Sequence, residues 1–159
     1  MTQSTSELAR LIAKIEIEEV ALLEASVKRS IRSADETEAR IQLNKRASLL
    51  ERSDDGRFYV QAEIEFSIVE ASGSEQPAVS IHTAFELTYR HPSDLEVTSQ
   101  VLQEFAEING VFNVWPYWRE FIQSTMARMN LPVITIPVFR LATPSDVPSQ
   151  PDDPAQTSE

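Results

Sequence analysis

Two imidazoles and a few closely spaced carboxylates are the side chains in this sequence whose types suit chemistry. His82 and His91 could exchange a proton near neutral pH. Glu63 and Glu65 alternate along one run, and Glu16, Glu18 and Glu19 gather upstream. Carboxylates so spaced serve either as general acid and base or as ligands for a hard cation. Neither set comes with a nucleophile, base and orienting group at a usable spacing. His82 falls on the polar parity of its run and His91 stands beside Pro92, where a histidine is ordinarily solvated. The carboxylates read as the wet face of a sheet. Cysteine is absent, which removes disulfides, thiolate metal sites and cysteine nucleophiles. The three glycines, Gly56, Gly73 and Gly110, all sit at apparent turns, so no phosphate-cradling loop can be built. The expectation is a protein that is not an enzyme and holds no metal or cofactor.

A second concentration of side chains suits recognition. Val111–Trp118 holds four of the chain's 12 aromatic residues, Phe112, Trp115, Tyr117 and Trp118. Such rings either fill the core at a corner between helices or line an exposed apolar groove. In a groove they present large, rigid contact area to many apolar partners.

The elements that must position these groups follow from periodicity. Phe58, Val60, Ala62, Ile64, Phe66 and Ile68 alternate with polar residues, the signature of a strand with one buried face. Ala39, Ile41, Leu43, Ala47 and Leu49 share one parity upstream, as do Val79, Ile81, Phe85, Leu87 and Tyr89 downstream. Asp54-Asp55-Gly56 and Ser72–Pro77 supply the turns of an antiparallel meander. Near the N-terminus, Leu8, Leu11, Ile12, Ile15, Leu22 and Leu23 fit a helix and Ile15, Ile17, Ala21, Leu23, Ala25 and Val27 fit a strand, each with a break at Glu19, and propensity favours the helix. Val101, Leu102, Phe105 and Ile108 recur at helical spacing, and Asn109-Gly110 predicts that this helix stops. A link over Val111–Trp115 then leads to a second helix opened by Pro116. Its stripe is Trp118, Phe121, Ile122, Thr125, Met126 and Met129. Val133–Phe139 is an apolar extended piece, kept out of a central strand by Pro132 and Pro137.

With 159 residues, 42% apolar and 25% charged, the chain is the size of one soluble domain. Its net charge of −11 opposes nucleic acid and anionic membranes as partners. No apolar run approaches the roughly 20 residues of a membrane span, and the N-terminus lacks a signal-peptide pattern. A cytoplasmic location is expected. Residues 142–159 carry four prolines and four carboxylates with little to bury, and are expected to be a disordered acidic tail.

The stretch Asn113-Val114-Trp115-Pro116-Tyr117-Trp118-Arg119-Glu120-Phe121-Ile122, followed by Met129–Phe139, resembles the bacterial SecB chaperone family. There a hydrophobic-Pro-Tyr-x-Arg-Glu motif opens a long helix that an apolar, Pro-containing segment follows. The resemblance spans roughly residues 13–140. It implies an α+β fold, a four-stranded antiparallel meander sheet followed by a helical segment packed on one face. The chaperone domain would then be residues 1–141, with 1–12 as an N-terminal extension and residues 6–12 of it a short helix. The resemblance also turns Lys14–Lys28 into the first strand, with Glu18-Glu19 at a bulge.

What the resemblance implies about function is an ATP-independent holdase, assembled as a homotetramer that is a dimer of dimers. It would bind unfolded client proteins and keep export precursors unfolded for the SecA motor. Phe112, Val114, Trp115, Tyr117 and Phe85 are the expected client groove. Glu24 and Glu86 are the expected acidic face for SecA, with Val20 where a further acid is usual. A second helix that usually walls the groove has no counterpart in the Pro-rich tail. Divergent SecB-like chaperones serve toxin–antitoxin systems, so the alternative is an adaptor with the same fold that binds one dedicated partner, such as an antitoxin or a secretion component.

Overall fold

The computed structural model describes residues 2–31, 39–70 and 76–139. The expected tail therefore lies outside the described residues, as does most of the second turn. The elements run α1 (Thr2–Lys14), β1 (Glu16–Arg29), β2 (Ala39–Arg52), β3 (Arg57–Glu70), β4 (Val79–Arg90) and α2 (Ser99–Arg128). The four strands form one antiparallel sheet with α2 on one face, in the α+β arrangement expected.

Within the sheet the spatial order is β1-β4-β3-β2. β2, β3 and β4 make the expected meander, whereas β1 lies against β4 at the far edge and not beside β2. The sheet is therefore a Greek key. β1 is a strand despite its helical propensity, because β4 offers it a complete ladder from Glu16↔Arg90 to Arg29↔Val79. The expected bulge falls between Ile17 and Glu19, and a second falls between Leu22 and Glu24. The β2–β3 turn needs Gly56: its φ is +84°, and a Cβ there would lie 2.6 Å from the His91 carbonyl oxygen.

The two expected helices are one. α2 runs unbroken through Asn109, Gly110 and the supposed link, with Pro116 inside it. Gly110 is not a stop but a contact point. It is buried against the sheet, where a Cβ would lie 2.6 Å from the Ala47 Cβ and 3.0 Å from Val60 Cγ1. Pro116 costs the helix a single backbone bond, and packing on three sides outweighs it. Thr98 caps the N-terminus by accepting from the Val101 amide at 3.3 Å. The C-terminus closes at Asn130, whose φ is 54°. The Asn130 and Leu131 amides donate to the Ala127 and Met126 carbonyls, a Schellman closure.

The core lies between α2 and the inner faces of β2, β3 and β4. Phe58, Tyr89 and Phe105 form an aromatic triangle with ring centroids 5.0–5.7 Å apart. Trp118 packs edge-on against Phe66 at 6.2 Å. α1 packs against α2, and its Leu11 is completely buried. The helix leaves β1 largely uncovered, so the inward-facing Ile17, Leu22 and Val27 are each more than 40% exposed.

Candidate functional site

The second half of α2 distributes the expected groove residues over different surroundings. Val114 is fully buried and Trp115 nearly so. The Trp115 Nε1 donates to the Pro137 carbonyl at 2.9 Å, and its ring lies 4.7 Å from Trp118 and 5.1 Å from Phe139. Trp115 is helical and not part of an extended link. The Leu131–Phe139 segment runs back along the same flank and covers its ring. Val114 and Trp115 thus belong to the interior of the single chain. Phe112 is 40% exposed and touches Phe139, with ring centroids 6.3 Å apart. Tyr117, five residues on and well round the helix, is 53% exposed.

Two apolar clefts flank this half-helix. One lies between α2 and the uncovered inner face of β1, about 420 Å³, lined by Val20, Leu22, Phe85, Pro116, Tyr117 and Phe121, with Glu120 at its rim. It brings together two of the expected residues, Phe85 and Tyr117. The other, about 250 Å³, opens at the C-terminal end of α2 among Ile31, Ile41, Ile68, Met126, Leu131 and Ile134. Its walls are mainly aliphatic. Among the described residues, each cleft has a single charged residue at its rim, Glu120 at the first and Glu70 at the second. Both clefts suit apolar side chains of an extended chain.

The outer face of the sheet is polar. Glu24 stands on β1 opposite Ala84, and Glu86 stands on β4 opposite Ala21, so the two carboxylates share this face. Val20 instead lines the inner cleft. His82 lies between Glu24 and Glu63, its ring nitrogens 3.9 and 3.8 Å from their carboxylates. His91 approaches the Pro92 carbonyl at 3.0 Å. At the sheet's end Arg57 binds Glu18 at 2.7 Å and Asp55 at 2.6 Å, while Arg90 also holds Glu18. The Arg57 hydrogen bond, with that from Arg90, holds the Glu18 carboxyl below its ordinary range. Among the described residues no cluster of His, Asp or Glu could hold a metal. No helix among them is long and apolar enough to cross a membrane.

The same arrangement of sheet and helix occurs in the Mycobacterium tuberculosis Rv1957 SecB-like chaperone, solved in complex with a ChAD peptide from the Rv1956 HigA1 antitoxin. The match has a TM-score of 0.76 at 19% identity and covers 87% of this chain and 99% of that one. The fold is SecB-like. A protein of unknown function from Streptococcus agalactiae matches with a TM-score of 0.46 at 11% identity, over 78% of this chain and 97% of that one. No protein-family model and no curated protein matches the chain.

The SecB-like fold explains what sequence reasoning missed at the clefts. The strand reading of the sequence puts the odd residues Ile15, Ile17, Ala21, Leu23, Ala25 and Val27 on one parity; the bulge after Ile17 shifts the register and turns Val20 and Leu22 inward instead, opposite Leu87 and Phe85. That α2 stops short of β1 was not visible either, because it depends on how the helix crosses the sheet. Ile41 was read as an ordinary strand residue and Ile134 as part of an extended piece, Ile31 drew no reading, and no local signal marks any of them as cleft walls.

Proposed function

We propose that this chain is an ATP-independent molecular chaperone that binds extended apolar segments of unfolded polypeptides. The supporting observation is the pair of open apolar clefts flanking α2 on a SecB-like scaffold. Client side chains enter the clefts, with Tyr117 and Phe112 on α2 and Phe85 of β4 at the floor of one cleft as contact points. Burying one client aromatic stabilises the complex by about 1.5–3 kcal/mol before ordering costs. Several such contacts add through effective concentration. The net negative charge keeps the loaded complex soluble.

In this reading the chain assembles as a homotetramer in the cytoplasm. The uncovered inner face of β1 and the exposed side of α2 give a second copy apolar surface to bury. Glu24 and Glu86 form the acidic face for a SecA-type acceptor, and the client is an export precursor. Tyr89, Glu63 and the histidines act in structure and solubility, with no reaction.

A second reading keeps the scaffold and narrows the client to one dedicated partner, such as an antitoxin segment. It is favoured by the neighbouring structure, in which the SecB-like chaperone holds an antitoxin peptide. Recovery of one stoichiometric partner from lysate supports this reading, whereas a heterogeneous set of unfolded chains supports the general chaperone. The primary test is light scattering from a denatured polypeptide diluted into buffer. Stoichiometric amounts of the protein should suppress aggregation without ATP; undiminished aggregation would refute the chaperone reading.

A further inference from the structure

An open sheet edge carries unpaired N–H and C=O groups, and a protein that leaves one free invites another strand. The two edges here differ. β1 is interrupted by two bulges and is acidic over Glu16–Glu24. β2 keeps unbroken register with β3 from Ala39 to Leu49, its one irregularity falling after Leu49. Its charge opposes that of the whole: Arg40, Lys45, Arg46 and Arg52 against Glu51, in a chain of net −11. Arg46 pairs with Glu63, and Arg52 reaches the Val97 carbonyl at 3.3 Å. Arg40 has no carboxylate partner among the described residues, while Lys45 faces the α2 side with its ammonium over the Phe139 ring.

The direction of the free groups follows from one hydrogen bond. The Leu49 amide donates to Gln103 Oε1 of α2 at 3.2 Å, and so points away from β3. Backbone groups alternate sides along an antiparallel strand. Ile41, Leu43, Lys45 and Ala47 share Leu49's parity and aim their N–H and C=O at the open edge. Their side chains face α2, while Arg40, Gln42, Asn44 and Arg46 face the opposite side.

We propose that the free edge of β2 docks an extended polypeptide segment of alternating apolar and acidic residues, added antiparallel as a fifth strand. Main-chain bonds supply affinity, and the two faces read alternate side chains. Residues on the α2 side reach the cleft walled by Ile41 and Ile134 and are apolar. Residues on the other side meet Arg40 and Arg46 and are carboxylates. A second copy of β2 would set these cations against their own kind, which disfavours self-pairing. The proposal rests on the chaperone reading and specifies which client segments this edge selects.

The test uses full-length protein and two short acetylated peptides, one alternating valine with glutamate and one alternating valine with lysine. The valine–glutamate peptide should bind about tenfold more tightly. Arg40→Glu should invert that preference. Leu43→Pro, which removes an outward amide and leaves the β3 ladder intact, should weaken the valine–glutamate peptide at least about tenfold. Amide exchange at Leu43 and Lys45 should slow on binding. If Leu43→Pro fails to fold, the inverted preference and the exchange pattern still decide. Equal affinity for the two peptides, or a preference untouched by Arg40→Glu, overturns the proposal. So does a concentration-dependent dimer lost in Arg40→Glu, which would make a second copy the occupant. Residues 142–159 hold four carboxylates and follow Phe139, whose ring lies 5.5 Å from Lys45 Nζ. Peptide affinity that rises more than about tenfold when they are deleted would make the tail the occupant, and would also overturn the proposal. Wild-type protein that suppresses aggregation but ignores both peptides overturns the edge proposal alone; failure of both assays removes the chaperone reading as well.

Discussion

Gly110 of α2 faces Ala47 of β2 so closely that a Cβ at residue 110 would lie 2.6 Å from the Ala47 Cβ. Alanine at this helical position would gain about 1 kcal/mol of helix propensity. Ala47 has no rotamer with which to retreat, and overpacking of this kind costs about 1–3 kcal/mol. Gly110→Ala should therefore lower stability in a urea titration, with an unchanged m-value. An increase in stability would mean that helix and sheet can part without loss.

Trp115 and Tyr117 should separate stability from binding. Trp115 is 5% exposed, so Trp115→Ala should cost about 3–5 kcal/mol, and any binding defect would follow from unfolding. Tyr117 is 53% exposed, so Tyr117→Ala should stay within about 1 kcal/mol of the parent while weakening client binding several-fold. Thermal melts and peptide titrations of the two variants check this contrast.

Of the fold, the sequence made most of the sheet legible. Period-two alternation placed β2, β3 and β4 because each has a buried face covered by α2. It could not place β1, whose alternation is blurred by two bulges and whose helix-favouring residues point the other way; the family resemblance supplied that strand. The single helix α2 was read as two, since Asn109-Gly110 is a common stop and Pro116 a common start. Their meaning changed with tertiary context: Gly110 is small because β2 is close, and Pro116 is tolerated because the helix is held on several sides. The candidate site was legible in part. Tyr117 and Phe85, expected from the sequence, line one cleft, but the sequence pattern does not reveal that the Leu131–Phe139 segment folds back over Trp115.

Acid should weaken the Glu18 network. Arg57 and Arg90 depress the Glu18 pKa from its ordinary 4.5. Stability from the pair is thus present above that value and is lost as pH falls through the lower folded-state pKa. Glu18→Gln should be less stable than the parent near neutrality, and the difference should shrink below pH 4.5. A difference that grows on acidification would contradict the pairing.

Tyr89 should mark the alkaline side. Burial pushes its phenol up to about 12, against an opposing hydrogen bond from Asn113, whose Nδ2 donates to the hydroxyl at 2.8 Å. The unfolded chain ionises this group near 10, so stability is fully present below that pH and falls as pH rises towards 12. Ultraviolet titration should show one late-ionising tyrosine that Tyr89→Phe removes.

The most direct measurement of the chaperone reading is calorimetric titration of a permanently unfolded polypeptide into the wild-type protein and into a Leu22→Ser, Tyr117→Ser double variant. Both residues line the cleft between β1 and α2 and are about half exposed, so the variant should keep the parent's circular dichroism. Wild-type protein should bind with a negative heat-capacity change, the mark of apolar burial, and the variant should bind several-fold more weakly. Absence of binding by the folded wild-type protein, or equal binding by both, would contradict it.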